Sequence, residues 1–558
     1  VSAHDTSTCH PRSKVLIAER IRNNTTQSRS SKTLVESLDH QAWGRERSLL
    51  MYSICYSAQA YRLLNTGLSF MEPLRRSRRR FLQTTAGGLV VSASLASADT
   101  IASEDVASTR VANPVSGDVL RSAGVLSEDK QHFMQLQRAV PVAGQADVLV
   151  CGGGPAGIAA ALAAARTGVS VQLIEVAGCL GGVWTSGLLT KILDSENKSG
   201  IMAELLGEFT ARGSAIAAQT NGSVYDPEIA KLVLEELCIE AGVAIRLHTR
   251  LVGAVTDENN RVVAVLTESK SGREAWLAER FVDCSGDGDL AAHAGCKFDV
   301  GTGKDCECQP MSMLALLTGI NPDEVRPFIR ETGSEAKRRM LKLLEDNGVK
   351  PSYRAPTLRH LHSGIYSIMT NHEYGISAFD ADAITAATIR ARREIHAIVN
   401  ALRKIGGVWS NLSVVATAEQ IGVREGRRIR GRYSITSRDV ADGLRHEQAV
   451  CRVTFPIDVH ALNDLGNKEI ERKFKTDGHK PYDVPYPALV ANDVDGLLMA
   501  GRCISGDFIA HSSYRVTGNA VPMGEAAGLA AAVSFKKNLL PHQLDWREIK
   551  RESEIESP

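Results

Sequence analysis

Cysteine is scarce, 11 in 558 residues, far too sparse for a disulfide scaffold. An excess of charge is missing as well, since 65 Lys+Arg face 64 Asp+Glu. This argues against an overall basic nucleic-acid binder, because no surplus of cations is available to displace counterions from phosphate. With 43% hydrophobic and 23% charged residues, collagen-like and globally disordered chains are excluded too. Long apolar runs are also lacking. The stretch Phe81–Ala96 is interrupted by Gly87, Gly88 and several serines, too short and polar for a stable membrane span. What remains is a soluble α/β or α+β chain whose length allows two to four domains or one large fold with insertions.

The charge balance is a cancellation. Residues 1–98 hold 14 Lys+Arg against 6 Asp+Glu, a local charge of +8, while the remainder carries 51 against 58, a charge of −7. The basic block centres on Arg75, Arg76, Arg78, Arg79 and Arg80, followed by the weakly apolar stretch and by Ala96-Ser97-Ala98. A positive region, a modest apolar region and an A-x-A site form the layout of an export signal. The run Ser77–Gln83, SRRRFLQ, resembles the twin-arginine pattern with Arg78-Arg79 as the pair; a basic surface helix or an uncleaved membrane anchor is the alternative. The partner in that reading is the twin-arginine translocation machinery, and the destination is the periplasm or cell envelope. Residues 1–70 then read as an upstream extension, with translation expected to start at Met71, and residues 71–98 as the signal. Residues 99–145 read as a tether, broken by Pro114 and Pro141.

Regular structure is expected to begin at Ala146. Asp147–Cys151 reads as a buried strand, Gly152–Gly157 as a tight turn, Ile158–Thr167 as an Ala-rich helix closed by Gly168, and Val169–Ile174 as a second strand ending in Glu175. This is a βαβ unit with G-x-G-x-x-G at Gly152, Gly154 and Gly157 and an acid 18 residues after the last glycine, the fingerprint of dinucleotide binding. Gly152 permits the turn, and Gly154 lets backbone approach a pyrophosphate. Gly157 and Ala161 allow close helix–strand packing, and the helix start offers unpaired N–H groups to the phosphates alongside Pro155 and Ala156. Glu175 suits ribose hydroxyls and would repel a 2′-phosphate.

The first unit alone does not separate NAD from FAD. Three features favour FAD. Cys179-Leu180-Gly181-Gly182 suits a loop running close to a cofactor. Asp226-Pro227 caps a helix to about Ala241, and strands are expected at 243–248, 250–256, 261–268 and 274–284, a β-meander returning through Phe281–Asp289. Near the C-terminus Gly496–Arg502 reads as a strand ending in glycine. A loop and a helix over Val521–Val533 follow, whose start can stabilise negative charge on a reduced flavin ring.

Four stretches now carry a resemblance: ADVLVCGGGPAGIAAALAAARTG, FVDCSGDGDLAAHAG, AEQIGVREGRRIRGRYSIT and GLLMAGRCIS…RVTGNAVPMGEAAGLAAA. Together they resemble the bacterial FAD-dependent oxidoreductase family with a glutathione-reductase-type FAD domain, distantly similar to the flavin subunit of heterodisulfide reductase. The resemblance implies non-covalent FAD and a discontinuous Rossmann-like FAD/NAD(P)-binding domain with a β-meander over 146–300 and 490–540. It adds an inserted α+β substrate-facing region over 300–490 and leaves a tail, 541–558. It places Leu251 against adenine, and Gly286, Asp287, Gly501, Val521, Pro522 and Met523 around the cofactor. Arg502 stands where related flavoproteins often carry an Asp for the ribityl chain, and an Arg there suits a pyrophosphate.

In the middle region, Ile384, Thr388, Ala391, Ile395, Ile398 and Leu402 mark a packing helix over 383–405. The segment 350–380, with His360, His362, Tyr366, His372 and Tyr374, reads as a loop lining a polar cleft; no metal is expected, because these spacings lack a two-His helical pair. Since a flavin performs the redox step, the protein positions substrate and manages protons. His511, Tyr514 and Arg515, expected on a loop facing the flavin, are the candidates. Arg515 would hold an anionic group of a small-molecule substrate and His511 would exchange a proton near neutral pH. Arg424 and Glu425 also line the site, whereas Arg427, Arg428 and Arg430 fit an ion-pair face better. Cys179 has no partner before Cys238, so dithiol catalysis is not expected, and Cys296, Cys306 and Cys308 lack the four-thiolate pattern of an iron–sulfur cluster. The expected function is transfer of a hydride or electrons between a small organic substrate and FAD, with the electron acceptor left open. The alternatives are a hydroxylase-like flavin monooxygenase, faintly signalled by Ser285–Gly288, and a non-catalytic FAD-stabilised binding protein.

Overall fold

The computed structural model describes residues 124–556 apart from 128–129, 136–138, 215, 220–221, 303–306 and 461–479. The upstream extension, the export signal and the tether up to residue 123 lie outside the described residues. Within the tether's range, Gly124–Leu126 pairs antiparallel with Phe133–Gln135. The first long strand, β1 (Val142–Cys151), starts four residues earlier than its apolar run, because its exposed first half pairs by backbone rather than by burial.

Helix α1 (Pro155–Arg166) and strand β2 (Val171–Ile174) complete the βαβ unit. Pro155 sits in the first turn, where its missing N–H costs nothing. Helix α2 (Pro227–Glu240) is capped by Asp226, whose Oδ1 accepts from Glu228 N at 2.8 Å. Strands β3 (Ala244–Arg246), β4 (Arg250–Thr256), β5 (Val262–Ser269) and β6 (Gly272–Asp283) follow.

Strand β6 serves two sheet regions. Its first half pairs antiparallel with β5, which pairs with β4; its second half runs parallel to β1, in the order β3–β2–β1–β6. Alternation of apolar and polar residues built the meander, and continuous apolar runs built the parallel part buried on both faces.

The inserted region has its own core. Strand β7 (Leu314–Thr318), helix α3 (Ala336–Asp346), strands β8 (Thr357–His362) and β9 (Ile365–Met369), helix α4 (Ala381–Ile405) and strand β10 (Ser413–Thr417) contribute to it. The strands form an antiparallel sheet in the order β8–β9–β7–β10. Ala391, Ile395, Ile398 and Leu402 of the expected stripe are buried there. The segment read as a loop at 350–380 is largely this hairpin: His360 pairs across it with Tyr366, and the turn at Ser363-Gly364 takes positive φ. From Ile429 onward the chain packs into the first core again, through Ile435, Val453, Tyr482 and Val484.

Strand β11 (Leu497–Met499) joins the parallel sheet beside β6. Helix α5 (Phe508–Tyr514) occupies the expected loop, capped by Asp507 through Ala510 N at 2.8 Å. The last long helix, α6 (Thr517–Lys536), begins four residues before Val521, with Pro522 in its interior.

Helices α1 and α6 lie in backbone contact. A Cβ on Gly524 would meet Ala156 O at 2.0 Å, and one on Gly528 would meet Ala160 O at 2.0 Å. Because backbone carbonyls cannot yield as side chains do, Gly528→Val is expected to lower the unfolding free energy by about 1–3 kcal/mol. Denaturant titration of the variant against the parent checks it; an unchanged midpoint would contradict the contact.

Candidate active site

The turn after β1 is shaped by two steric limits. Gly152 has φ +99° and a Cβ there would lie 2.4 Å from Cys284 O, while a Cβ on Gly157 would lie 1.7 Å from Gly152 O. Both positions therefore admit only glycine. Gly154 differs: its backbone is extended (φ −74°) and a Cβ would meet nothing within 4 Å. Open space at the N-terminus of α1, between two sterically closed glycines, leaves room and unpaired N–H groups of the kind a pyrophosphate would use.

The loop after β2 closes over this turn. Gly181 N donates to Gly153 O at 2.8 Å, and a Cβ on Gly182 would lie 3.0 Å from Gly154 Cα. Glu175 is buried; its Oε2 accepts from Gly153 N at 2.5 Å and its Oε1 from Ala177 N at 2.7 Å. The carboxylate thus ties the glycine turn to the second loop. Thr249 N donates to Glu175 O at 2.9 Å, bringing the start of β4, and Leu251 with it, to the same corner.

The C-terminal half of the chain supplies the opposite wall. A Cβ on Gly501 would lie 3.2 Å from Ala156 Cβ and 3.7 Å from Ala520 Cβ, so the β11 turn touches the starts of both α1 and α6. Arg502 lies over Gly286 and pairs with Asp287 at 2.7 Å. Asp283, buried at the end of β6, accepts from Ser285 N at 3.0 Å, Ser285 Oγ at 2.7 Å and Ala291 N at 2.9 Å, fixing the Gly286–Asp289 loop. Burial raises its carboxyl to about 6 despite these donors.

Val521 and Met523 are core residues in the second turn of α6; Thr517 and Asn519 hold the first. The Asn519 amide, both atoms of it, and the Thr517 hydroxyl are buried without hydrogen-bond partners among the described residues. Buried polar groups are almost always satisfied, so these atoms mark where a polar ligand belongs. With the open Gly154 seat, they fit FAD: phosphates at one helix start and a polar ring system at the other.

Next to α6 lies a polar recess between the two cores. Arg515, at the end of α5, donates to Gln309 Oε1 at 3.1 Å and Asp458 O at 2.9 Å. Arg424 donates to Pro310 O at 2.6 Å and Ser312 Oγ at 2.9 Å. Asp458 bonds His460 at 3.1 Å, and His372 packs against Tyr353 and His460 with ring centroids 4.3 and 5.0 Å apart. Burial lowers the Arg424 guanidinium to about 10, with Arg515 adding repulsion.

Other expected residues fall elsewhere. His511 is fully buried, and burial, reinforced by Arg428, Arg515 and Arg502, holds its imidazole well below the usual range. Proton exchange near neutral pH, expected of an exposed loop, is thereby corrected: the side chain is uncharged inside α5. Glu425 is buried against Arg428, with Oε2 accepting from Gln309 N at 3.0 Å. Arg427 pairs with Asp289 at 2.8 Å and Arg430 with Asp299 at 3.0 Å. His362 lies 2.5 Å from Asp226 and His360 stacks on Tyr366, both outside the recess. Cys179 Sγ lies 3.6 Å from Thr185 Oγ1, and all eight described cysteines are free thiols.

The sequence profile of the FAD dependent oxidoreductase family matches residues 147–552. The chain belongs to that family. It is an FAD-dependent oxidoreductase, an α/β enzyme whose cofactor is FAD. No curated protein matches it. Among solved structures, this FAD-dependent oxidoreductase is similar to a geranylgeranyl bacteriochlorophyll reductase-like protein from Thermoplasma acidophilum, with 13% identity, 74% of this chain and 83% of that one covered, and a TM-score of 0.38. It is also similar to p-nitrophenol 4-monooxygenase from Pseudomonas putida DLL-E4, with 12% identity, coverage of 72% and 83%, and a TM-score of 0.40.

The oxidoreductase offers a sharp test at Gly154. Gly154→Val meets free space in the protein and keeps an allowed backbone, so the apoprotein should unfold at the parent's midpoint. FAD affinity should drop at least tenfold, about 1.4 kcal/mol, as read by fluorescence titration. Unchanged affinity would contradict the seat.

Proposed function

We propose that the enzyme transfers a hydride or electrons between a small organic substrate and a non-covalently bound FAD. The observation carrying this reading is the adjacency of two unlike sites: a glycine-lined dinucleotide turn, and a recess lined by Arg424, Arg515, Asp458, His460 and His372. When bound, FAD supplies the two-electron chemistry.

In this reading Gly152, Gly154, Pro155, Ala156 and Gly157 hold the pyrophosphate, and Glu175, while keeping its bonds from Gly153 N and Ala177 N, meets the ribose through its remaining lone pairs. Gly181, Gly182, Leu251, Gly286, Asp287, Gly501 and Arg502 line the rest of the cofactor's path. The α6 start, ahead of Val521, Pro522 and Met523, meets the ring system. Arg424 and Arg515 orient substrate and exclude water. His511, enclosed and neutral, positions Arg515 through α5, whose His511 O accepts from Arg515 N at 3.2 Å.

The same proposal includes export by the twin-arginine route to the periplasm or envelope, supported by Ser77–Gln83 and the +8 charge of residues 1–98. That route moves folded proteins, which suits an enzyme that loads its cofactor in the cytoplasm. Bacterial origin and a distant kinship with the flavin subunit of heterodisulfide reductase belong to it as well, supported by the four quoted stretches.

One preparation tests the reading. Protein recovered from the periplasmic fraction should release stoichiometric FAD on acid denaturation, and its flavin absorbance should bleach anaerobically with an organic donor. An Arg78→Lys/Arg79→Lys variant should remain, FAD-bound, in the cytoplasm. Apoprotein with no affinity for FAD would overturn the enzymatic reading; unaltered export of the variant would overturn the route.

A further inference from the structure

The recess between the two cores holds more positive charge than it balances. Arg424 Nη1 donates to a carbonyl and a hydroxyl, and Nη2 lies 3.8 Å from Met369 Sδ; all three partners are neutral. Arg515 reaches an amide and a carbonyl, with the Asp458 carboxylate at 3.8 Å, and its Nε is buried without a partner among the described residues. Lys337, on α3, stands 6.0 Å over the Tyr353 ring and forms no ion pair among the described residues. Burial lowers its ammonium to about 8.

Among the described residues Asp458 is the carboxylate that acts on all three cations, and it is engaged by His460. Glu425 also acts on Arg515 and Glu331 on Lys337, but they are already paired with Arg428 and Arg359. Charges withdrawn from water are costly unless paired. With Glu425 and Glu331 paired to their own arginines, Arg424, Arg515 and Lys337 face Asp458 alone, which leaves a recess that favours an incoming anion. The remaining walls are aromatic: the rings of Tyr353, His372 and His460 lie 4.3 to 6.2 Å apart by centroids and are inclined by 37° to 77° to one another, so each offers a face or an edge. His372 Nε2 is a second buried polar atom without a partner.

We propose that this recess recognises a carboxylate-bearing, planar organic substrate, with Arg424 and Arg515 holding the carboxylate and the three rings packing its flat part. A guanidinium presents a planar fork that matches a carboxylate through parallel N–H···O bonds. Arg424, unengaged by any acid, is the primary holder. Arg515, tied to Gln309 and Asp458 and two residues ahead of Thr517 at the start of α6, sets the distance between substrate and cofactor. This deepens the flavin-oxidoreductase reading and rests on it.

The test uses the FAD-loaded enzyme and isothermal titration with benzoate and with benzamide, its uncharged near-isostere. Benzoate should bind at least tenfold more tightly than benzamide, since loss of the charge forfeits charge-assisted bonds. Arg424→Gln should weaken benzoate at least tenfold, leave benzamide unchanged and keep the full flavin absorbance; Arg424→Lys should restore part of the loss. Equal binding of the two probes, no benzoate binding, or parental affinity in Arg424→Gln would overturn the proposal. The probe comparison needs no variant, so it stands even where Arg424→Gln fails to fold. Flavin absorbance separates the readings: a preparation without FAD overturns the cofactor reading, whereas an FAD-replete enzyme blind to the carboxylate overturns only this one.

Discussion

The contact on which the site depends is the backbone-to-backbone packing of α1 on α6. Gly524 and Gly528 meet the carbonyls of Ala156 and Ala160 at distances no side chain admits. A chain segment more than 350 positions away is thereby set against the first βαβ unit. Arg280 helps to lock it. Its guanidinium, buried beside the end of α6, donates to Ser534 Oγ at 2.9 Å and Leu539 O at 2.7 Å, where a cation also complements the helix C-terminus. The packing fixes both helix starts in one frame, Gly154 at one and Thr517–Asn519 at the other. The inserted core hangs from this frame and contributes the recess.

Electrostatics divides the site in two. Around the cofactor turn the charges are matched: Arg502 with Asp287, Arg427 with Asp289, Arg428 with Glu425. Such pairs fix loops and leave no net field. In the recess the matching fails, and Arg424, Arg515 and Lys337 outnumber Asp458. A fold that pairs its buried charges in one place and leaves them in excess a few residues away has reserved the second place for a charged ligand. Neutral imidazoles complete it, because burial, with Arg424 adding repulsion, holds His460 at about 4 and His372 lower still.

Local signals are legible in the sequence. The βαβ unit, the Asp226-Pro227 cap, the meander and the long α4 stripe all rest on contacts within about two dozen residues, the longest being the 23-residue step from Val148 to Val171, where periodicity and capping chemistry act directly. The sequence misleads where a local signal points the wrong way. Pro522 looks like a first-turn proline, yet α6 starts at Thr517 and carries it inside, which hides Asn519 ahead of the apparent helix start. The Asp507 cap of α5 stands behind a Gly-containing turn that reads as loop, and His360 and His362 conceal a strand because histidine is a weak strand signal. The recess is only half legible. Arg424, Arg515 and His372 sit in noticeable segments, but Lys337, Tyr353, Asp458 and His460 carry no motif. Tertiary packing alone assembles them.

The central proposal is FAD lying between the starts of α1 and α6 with the cationic recess alongside. A crystal structure of the FAD-loaded enzyme tests this most directly. Pyrophosphate oxygens are expected over Gly154, the ring system within hydrogen-bond distance of Asn519 or Thr517, and Arg424 and Arg515 beside the ring. A cofactor bound elsewhere, or Asn519 still unpartnered beside bound FAD, would contradict it.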